Sequence, residues 1–186
     1  MKLSRLFSVA VLALFVIAPL AAEEKAAPAK QAPKVVLKSA DGKKNYDLEK
    51  LTAEGPVLVR LTCACSGCDA ELPYFQALQS AYQGKGLKTL AVFREQPEAA
   101  ENYTTEKGVK FFWISDPKGE LWKTFDATVM PTNVLIDKGG SVVKVLPGCQ
   151  KDGKNAQVLS GEIAKLLKTD PVKIEPTAAK KTEDKK

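Results

Sequence analysis

Leu61-Thr-Cys-Ala-Cys-Ser-Gly-Cys-Asp-Ala-Glu-Leu-Pro73 is the stretch from which the rest of the chain can be read. An apolar run, Val57-Leu-Val59 and Leu61, leads into it, as in a strand covered on both faces. Leu72, Phe75, Leu78 and Tyr82 leave it at helical spacing, which predicts a helix over 66–83 kinked by Pro73. Cys65 and Cys68 lie at that junction. Two thiols at i and i+3 on a helical turn can reach one another. A thiol at a helix N-terminus or in a Cys-x-x-Cys pair has its pKa lowered from about 8.5. Cys65, the outer cysteine, is the expected nucleophile. Cys68, one turn in, is the expected resolving thiol.

Outward from this point the chain punctuates itself. Before it, Val35-Val-Leu37, the turn residues Asp41-Gly42 and Tyr46-Asp-Leu48 predict a hairpin, and 51–56 reads as a connection. After it come a strand over 87–93, a helix opened by Pro97 and closed by Gly108, and a strand over 111–114. A short helix over 119–125 follows, then a strand over 132–137. Gly139-Gly140 turns the chain into a strand over 141–146, and an amphipathic helix over 155–168 closes the pattern. This order predicts one α/β domain with a mixed central sheet, helices on both faces and an N-terminal β-hairpin.

The 186 residues suffice for one domain with a full core and extensions, so the four cysteines are free for chemistry. The absence of histidine excludes His-based triads and His metal sites. The net charge of +6 is not gathered into a basic block interleaved with aromatics, so no nucleic-acid partner is expected. At the start, Lys2 and Arg5 precede an apolar run over 9–20, and Ala21-Ala22 follows it, which is the form of a secretory signal peptide over 1–22. The run is shorter than the about 20 residues of a membrane span. A periplasmic or otherwise extracytoplasmic location is therefore expected, with no stable membrane insertion after cleavage and with disulfides permitted. Residues 23–34, rich in Ala, Lys and Pro, read as a flexible linker. The domain is expected over 35–168, and 169–186 reads as a disordered charged tail.

Several spaced landmarks resemble one family. Asp41-Gly-Lys43, Gly55-Pro-Val-Leu-Val59, Cys65-Ser-Gly-Cys-Asp-Ala-Glu-Leu-Pro73, Asp116-Pro-Lys-Gly-Glu120 and Met130-Pro-Thr-Asn-Val-Leu-Ile-Asp137 occur in order. Together they resemble the thioredoxin fold, in its exported TlpA/ResA-like (redoxin) branch of thiol–disulfide oxidoreductases. The resemblance implies exchange of disulfides with protein substrates, re-poising by a redox partner protein, and no cofactor. It makes Pro131 a cis-proline facing the cysteine pair, with Met130 and Ala64 beside the substrate. It also gives Glu71 a proton-relay role at Cys68, for which a desolvated carboxyl with a raised pKa would serve. The chain departs from the family at Ala64, where an aromatic is usual, and at Ser66-Gly67, where a Pro is frequent.

Arg60 and the two further cysteines carry open readings. Arg60 either pairs with an acid such as Glu71 or reaches out at the strand end, and the second is expected. Cys63 points to the side of Cys65, and the strand over 141–146 leads Cys149 toward the same edge. A second disulfide Cys63–Cys149, a copper or zinc site made of Cys63, Cys65, Cys68 and Cys149, and two unconnected buried residues remain as readings. A peroxiredoxin-like peroxidase is a further alternative, since Thr62-x-x-Cys65 faintly resembles that family's motif. Its upstream Pro and downstream Arg are missing here.

Overall fold

The computed structural model describes residues 30–39 and 45–177. The expected signal peptide, most of the expected linker, the Asp41-Gly42 turn and the last residues from 178 lie outside these.

The apolar run becomes β3 (Val57–Thr62), buried at every position because it is the central strand. β4 (Lys88–Phe93) and β5 (Phe112–Ser115) run parallel to it on one side. On the other side β6 (Thr132–Ile136) is antiparallel to β3, and β7 (Val142–Pro147) is antiparallel to β6. The order is β5-β4-β3-β6-β7, a mixed sheet as expected. The N-terminal hairpin forms a separate pair, β1 (Val36–Lys38) with β2 (Asn45–Asp47).

The period of 2 along β3 divides the core. Val57, Val59 and Leu61 face α1 (Leu48–Glu54), α5 (Glu120–Thr124) and the hairpin, in a cluster with Leu48, Leu121 and Trp122. Leu58 faces α3 (Leu72–Tyr82) and α6 (Lys154–Leu167), with Phe75, Leu78, Tyr82, Leu159 and Ile163. α4 (Pro97–Glu106) covers Ala91 and Phe93 on that second face. Helices therefore lie on both faces.

Three expectations are corrected. The segment read as a connection before β3 contains α1, whose N-cap Asp47 accepts hydrogen bonds from the amides of Glu49 and Lys50. The helix expected over 66–83 is two helices: a single turn α2 (Ser66–Asp69), then α3. Pro73 has no N–H for the carbonyl of Asp69 and its ring crowds that carbonyl, so the break falls upstream and Pro73 sits in the first turn of α3. The third correction concerns the ends. Ile174 is buried against the α3–α6 cluster, and the Val172 amide donates to the Tyr82 hydroxyl at 2.9 Å. The chain is thus held in place to Thr177, whose amide donates to the Pro73 carbonyl. At the other end, Gln31 bridges to Ser141 and Ala32 packs on the core. The folded unit is longer than 35–168 on both sides because apolar residues in each extension find a groove to fill.

Candidate active site

β3 ends at Thr62, and the next residues form a bend before the single turn of α2. That change of direction sets three sulfurs together. Cys63 is 6% exposed and Cys68 3% exposed, whereas Cys65 is open to solvent. Cys63 is joined to Cys65 by a disulfide, and the Cys68 thiol lies 3.3 Å from the Cys63 sulfur. All three sulfurs fall within 4.8 Å of one another. The expected Cys63–Cys149 bond is not formed. Cys149 is a free thiol donating to the Gly67 carbonyl at 2.9 Å, one loop away from the three. Burial, and then the Glu71 carboxylate, push its pKa above the ordinary thiol range. Of the four cysteines proposed as a metal set, three gather, and two of those are committed to a covalent bond.

Beneath the sulfurs lies a buried charge pair. Arg60 is 2% exposed and does not reach out of the sheet, contrary to the expectation for it. Both its terminal nitrogens donate to Glu71 Oε2 at 3.1 Å, and one also donates to the Asn133 side chain at 2.8 Å. Its other terminal nitrogen donates to the Cys68 carbonyl at 3.4 Å, and its plane stacks 4.0 Å over Phe75. Desolvation lowers the Arg60 pKa from its usual value, and Glu71 opposes the change. Glu71 is fully buried, as the relay reading required. Its second oxygen accepts from the Gln150 amide at 2.9 Å and from Asn155 Nδ2 at 3.0 Å. Rather than standing alone, the Glu71 side chain accepts from four donors. It joins β3, the start of α3, the loop after β7 and the first turn of α6.

The other predicted positions arrive from β6. Leu61 pairs with Thr132, so the register continued by one step brings Pro131 beside Thr62. The Met130–Pro131 bond is cis. Pro131 is buried and its carbonyl accepts from the Gly148 amide at 2.7 Å, which ties it to the segment carrying Cys149. Met130 and Val129 are exposed, 39% and 45%. Ala64 is half-buried, and its amide donates to Glu95 Oε1 at 2.8 Å.

Sequence reasoning missed Glu95, Asn133, Asn155 and Asp69. Asp69 accepts from Tyr103 at 3.0 Å and Lys107 at 3.2 Å, clamping α2 to α4. Burial and that hydrogen bond push the Tyr103 phenol well above its usual range, and Asp69 likewise raises Lys107. Asp69 and Asn133 lie inside quoted landmarks but carried no assigned role, and Glu95 and Asn155 lie outside them. Asp47, by contrast, was readable as a cap, because acidic Glu49 follows it and Gly55-Pro56 ends the helix.

The AhpC/TSA family profile matches residues 28–145. The chain belongs to the AhpC/TSA family. Among its relatives in that family is the thiol-disulfide oxidoreductase ResA of Bacillus thuringiensis subsp. konkukian, 33% identical over 129 residues, which cover 69% of this chain and 74% of that protein. ResA of Bacillus subtilis is 30% identical over 129 residues, with 69% and 72% covered. Solved structures show the same thioredoxin-like fold. A thiol:disulfide interchange protein of the thioredoxin family from Chlorobium tepidum has a TM-score of 0.62 at 21% identity, over 76% of this chain and 98% of that one. A secreted Mycobacterium tuberculosis disulfide oxidoreductase has a TM-score of 0.59 at 18% identity, over 72% and 96%. Both of these sequence relatives are thiol-disulfide oxidoreductases.

Proposed function

We propose that this protein is an exported thiol–disulfide oxidoreductase acting on protein disulfides or dithiols, with residues 1–22 as its signal peptide. The observation that carries the reading is the placing of one solvent-open sulfur, Cys65, against two buried ones at the end of the central strand. In the reductive direction, the Cys65 thiolate attacks a substrate disulfide and one substrate thiolate leaves. Cys68 then attacks the Cys65 sulfur, forming Cys65–Cys68 and releasing the second substrate thiolate. The reverse sequence oxidises a dithiol. A redox partner protein returns the pair to its starting state.

Around the sulfurs, Ala64, Met130 and Pro131 form the ground on which an extended substrate segment lies. Exposed Met130 offers a soft apolar contact. The backbone at Met130, beside the proline, is the edge on which a substrate would pair in strand-like fashion. Glu71 takes up or returns the Cys68 proton. Glu71→Gln is expected to move the pH profile of turnover, a change that a purely architectural role would not produce. A thiolate metal module is the alternative, and stoichiometric metal with weak disulfide exchange would favour it.

The test is reduction of a protein disulfide such as those of insulin. Wild-type protein turns over and Cys65→Ser loses at least about 100-fold. Rapid peroxide consumption with no disulfide exchange would overturn the reading in favour of a peroxidase. N-terminal sequencing of the protein recovered from the extracytoplasmic fraction is expected to begin after Ala22.

A further inference from the structure

We propose that Cys63 is a third redox cysteine, a second resolving thiol that shares the active-site disulfide with Cys68. This rests on the oxidoreductase reading above and adds a residue to it. A two-cysteine site needs one buried partner for its exposed nucleophile. Here there are two, nearly equal in burial, on opposite sequence sides of Cys65. The structure holds the bond between Cys65 and the unexpected one of them. The displaced partner, Cys68, has not moved out of range, since its thiol rests 3.3 Å from the Cys63 sulfur. That distance is van der Waals contact between sulfurs, from which nucleophilic attack begins. Cys63 lies where β3 ends, Cys68 lies in the turn of α2, and the Asp69 contacts to α4 fix that turn. These contacts hold the Cys63 and Cys68 sulfurs within reach of one another.

Two exchange steps follow, each conserving electrons. After Cys65 has formed a mixed disulfide with substrate, the Cys63 thiolate attacks the Cys65 sulfur. The Cys63–Cys65 bond forms, the Cys65–substrate bond breaks, and the substrate thiolate leaves and takes up a proton. The Cys68 thiolate can then attack the Cys63 sulfur. Cys68–Cys63 forms, Cys63–Cys65 breaks, and Cys65 is released as a thiolate that accepts the proton given up by Cys68. One oxidising equivalent is thereby held among three thiols, and Cys65 is freed at the surface while the protein is still oxidised. That state can attack a second substrate disulfide and pass it to another substrate thiol without net electron transfer, which is isomerisation of substrate disulfides.

The experiment uses full-length mature protein carrying Cys149→Ser, so that only the three sulfurs report. Insulin-type reduction is measured for that protein and for its Cys68→Ser, Cys63→Ser and Cys63→Ser/Cys68→Ser derivatives, each checked for cooperative thermal melting. Cys68→Ser is expected to retain turnover within about tenfold of its parent, and the double derivative to stall as a mixed disulfide. In parallel, the parent oxidised by substrate is quenched in acid, its free thiol is blocked under denaturation, and the blocked position is located by fragmentation mass spectrometry. Blocking shared among Cys68, Cys63 and Cys65 is expected, the Cys65 share reporting the Cys63–Cys68 bond. If Cys68→Ser stalls as completely as the double derivative, or the block falls on Cys63 alone, Cys63 is not a resolving thiol. Should Cys68→Ser fail to fold, the blocking pattern decides by itself. A parent with no turnover at all would instead remove the oxidoreductase reading on which this one stands.

Discussion

At the scale of single residues, the buried Arg60–Glu71 pair is the strongest constraint on the site. Burying two charges costs several kcal/mol per ion before pairing offsets it. Removing one partner strands the other. Glu71→Ala is therefore expected to lower unfolding stability by about 3–5 kcal/mol, measured by denaturant titration. Arg60→Met/Glu71→Leu is expected to recover most of that loss, because neither charge remains to be desolvated. Recovery of stability without recovery of turnover would separate the architectural from the catalytic share of Glu71. The pair was half-legible in the sequence. A charged residue in an apolar strand signals a partner, but Asn133 and Asn155 come from 73 residues beyond Arg60 and 84 beyond Glu71, where no spacing rule reaches.

Cys149 carries a prediction with a definite sign. Its folded pKa is raised, so the folded state favours the protonated thiol. Its contribution to stability is present in full below the unfolded thiol value of about 8.5 and is lost as pH rises through the higher folded value. Alkylation of Cys149 in the oxidised protein, followed by mass spectrometry, is expected to show a midpoint above that of a free peptide thiol. A midpoint below it would contradict the burial seen at Gly67.

At the scale of elements, backbone conformation decides two contrasting substitutions on α6. Gly153, just before the helix, has φ +76, and a Cβ there would lie 2.3 Å from the Tyr74 ring. Gly153→Ala is expected to cost about 2 kcal/mol or more. It should also disturb Asn155 and so the hold on Glu71. Gly161, inside the same helix, has open space around it. Gly161→Ala is expected to stabilise by about 0.5–1 kcal/mol. Thermal melts of both test whether α6 is anchored at its first turn. The elements themselves were largely readable. β3, β4 and β6 announce themselves as apolar runs, and α6 by its period. α1 and the break between α2 and α3 were not read, because each is settled by a few hydrogen bonds at a helix end rather than by a repeating pattern.

For the whole molecule, the sheet presents its chemistry at one end, where β3 stops and β6 starts. The extensions hold the layers behind it. The Tyr82 hydroxyl, the Ser160 side chain and the Val172 amide form a buried hydrogen-bond cluster between α3, α6 and the C-terminal segment. Ile174 covers the apolar surface beside it. A chain ending at Lys168 is expected to lose about 2–4 kcal/mol, from one buried Ile side chain together with the hydrogen bonds of Val172 to Tyr82 and Ser160. An unchanged melting temperature would show that the segment is decoration. This segment escaped sequence reading because its composition is that of a tail, and only Val172 and Ile174 hint otherwise.

The most direct measurement is a redox titration of the Cys149→Ser protein against buffers of defined thiol–disulfide potential. A single reversible two-electron couple whose potential shifts in Cys65→Ser, where only the Cys63–Cys68 bond can form, is the predicted result. Absence of any reversible couple, or a couple unaffected by loss of Cys65, would contradict the assignment of these three sulfurs as a disulfide-exchange site.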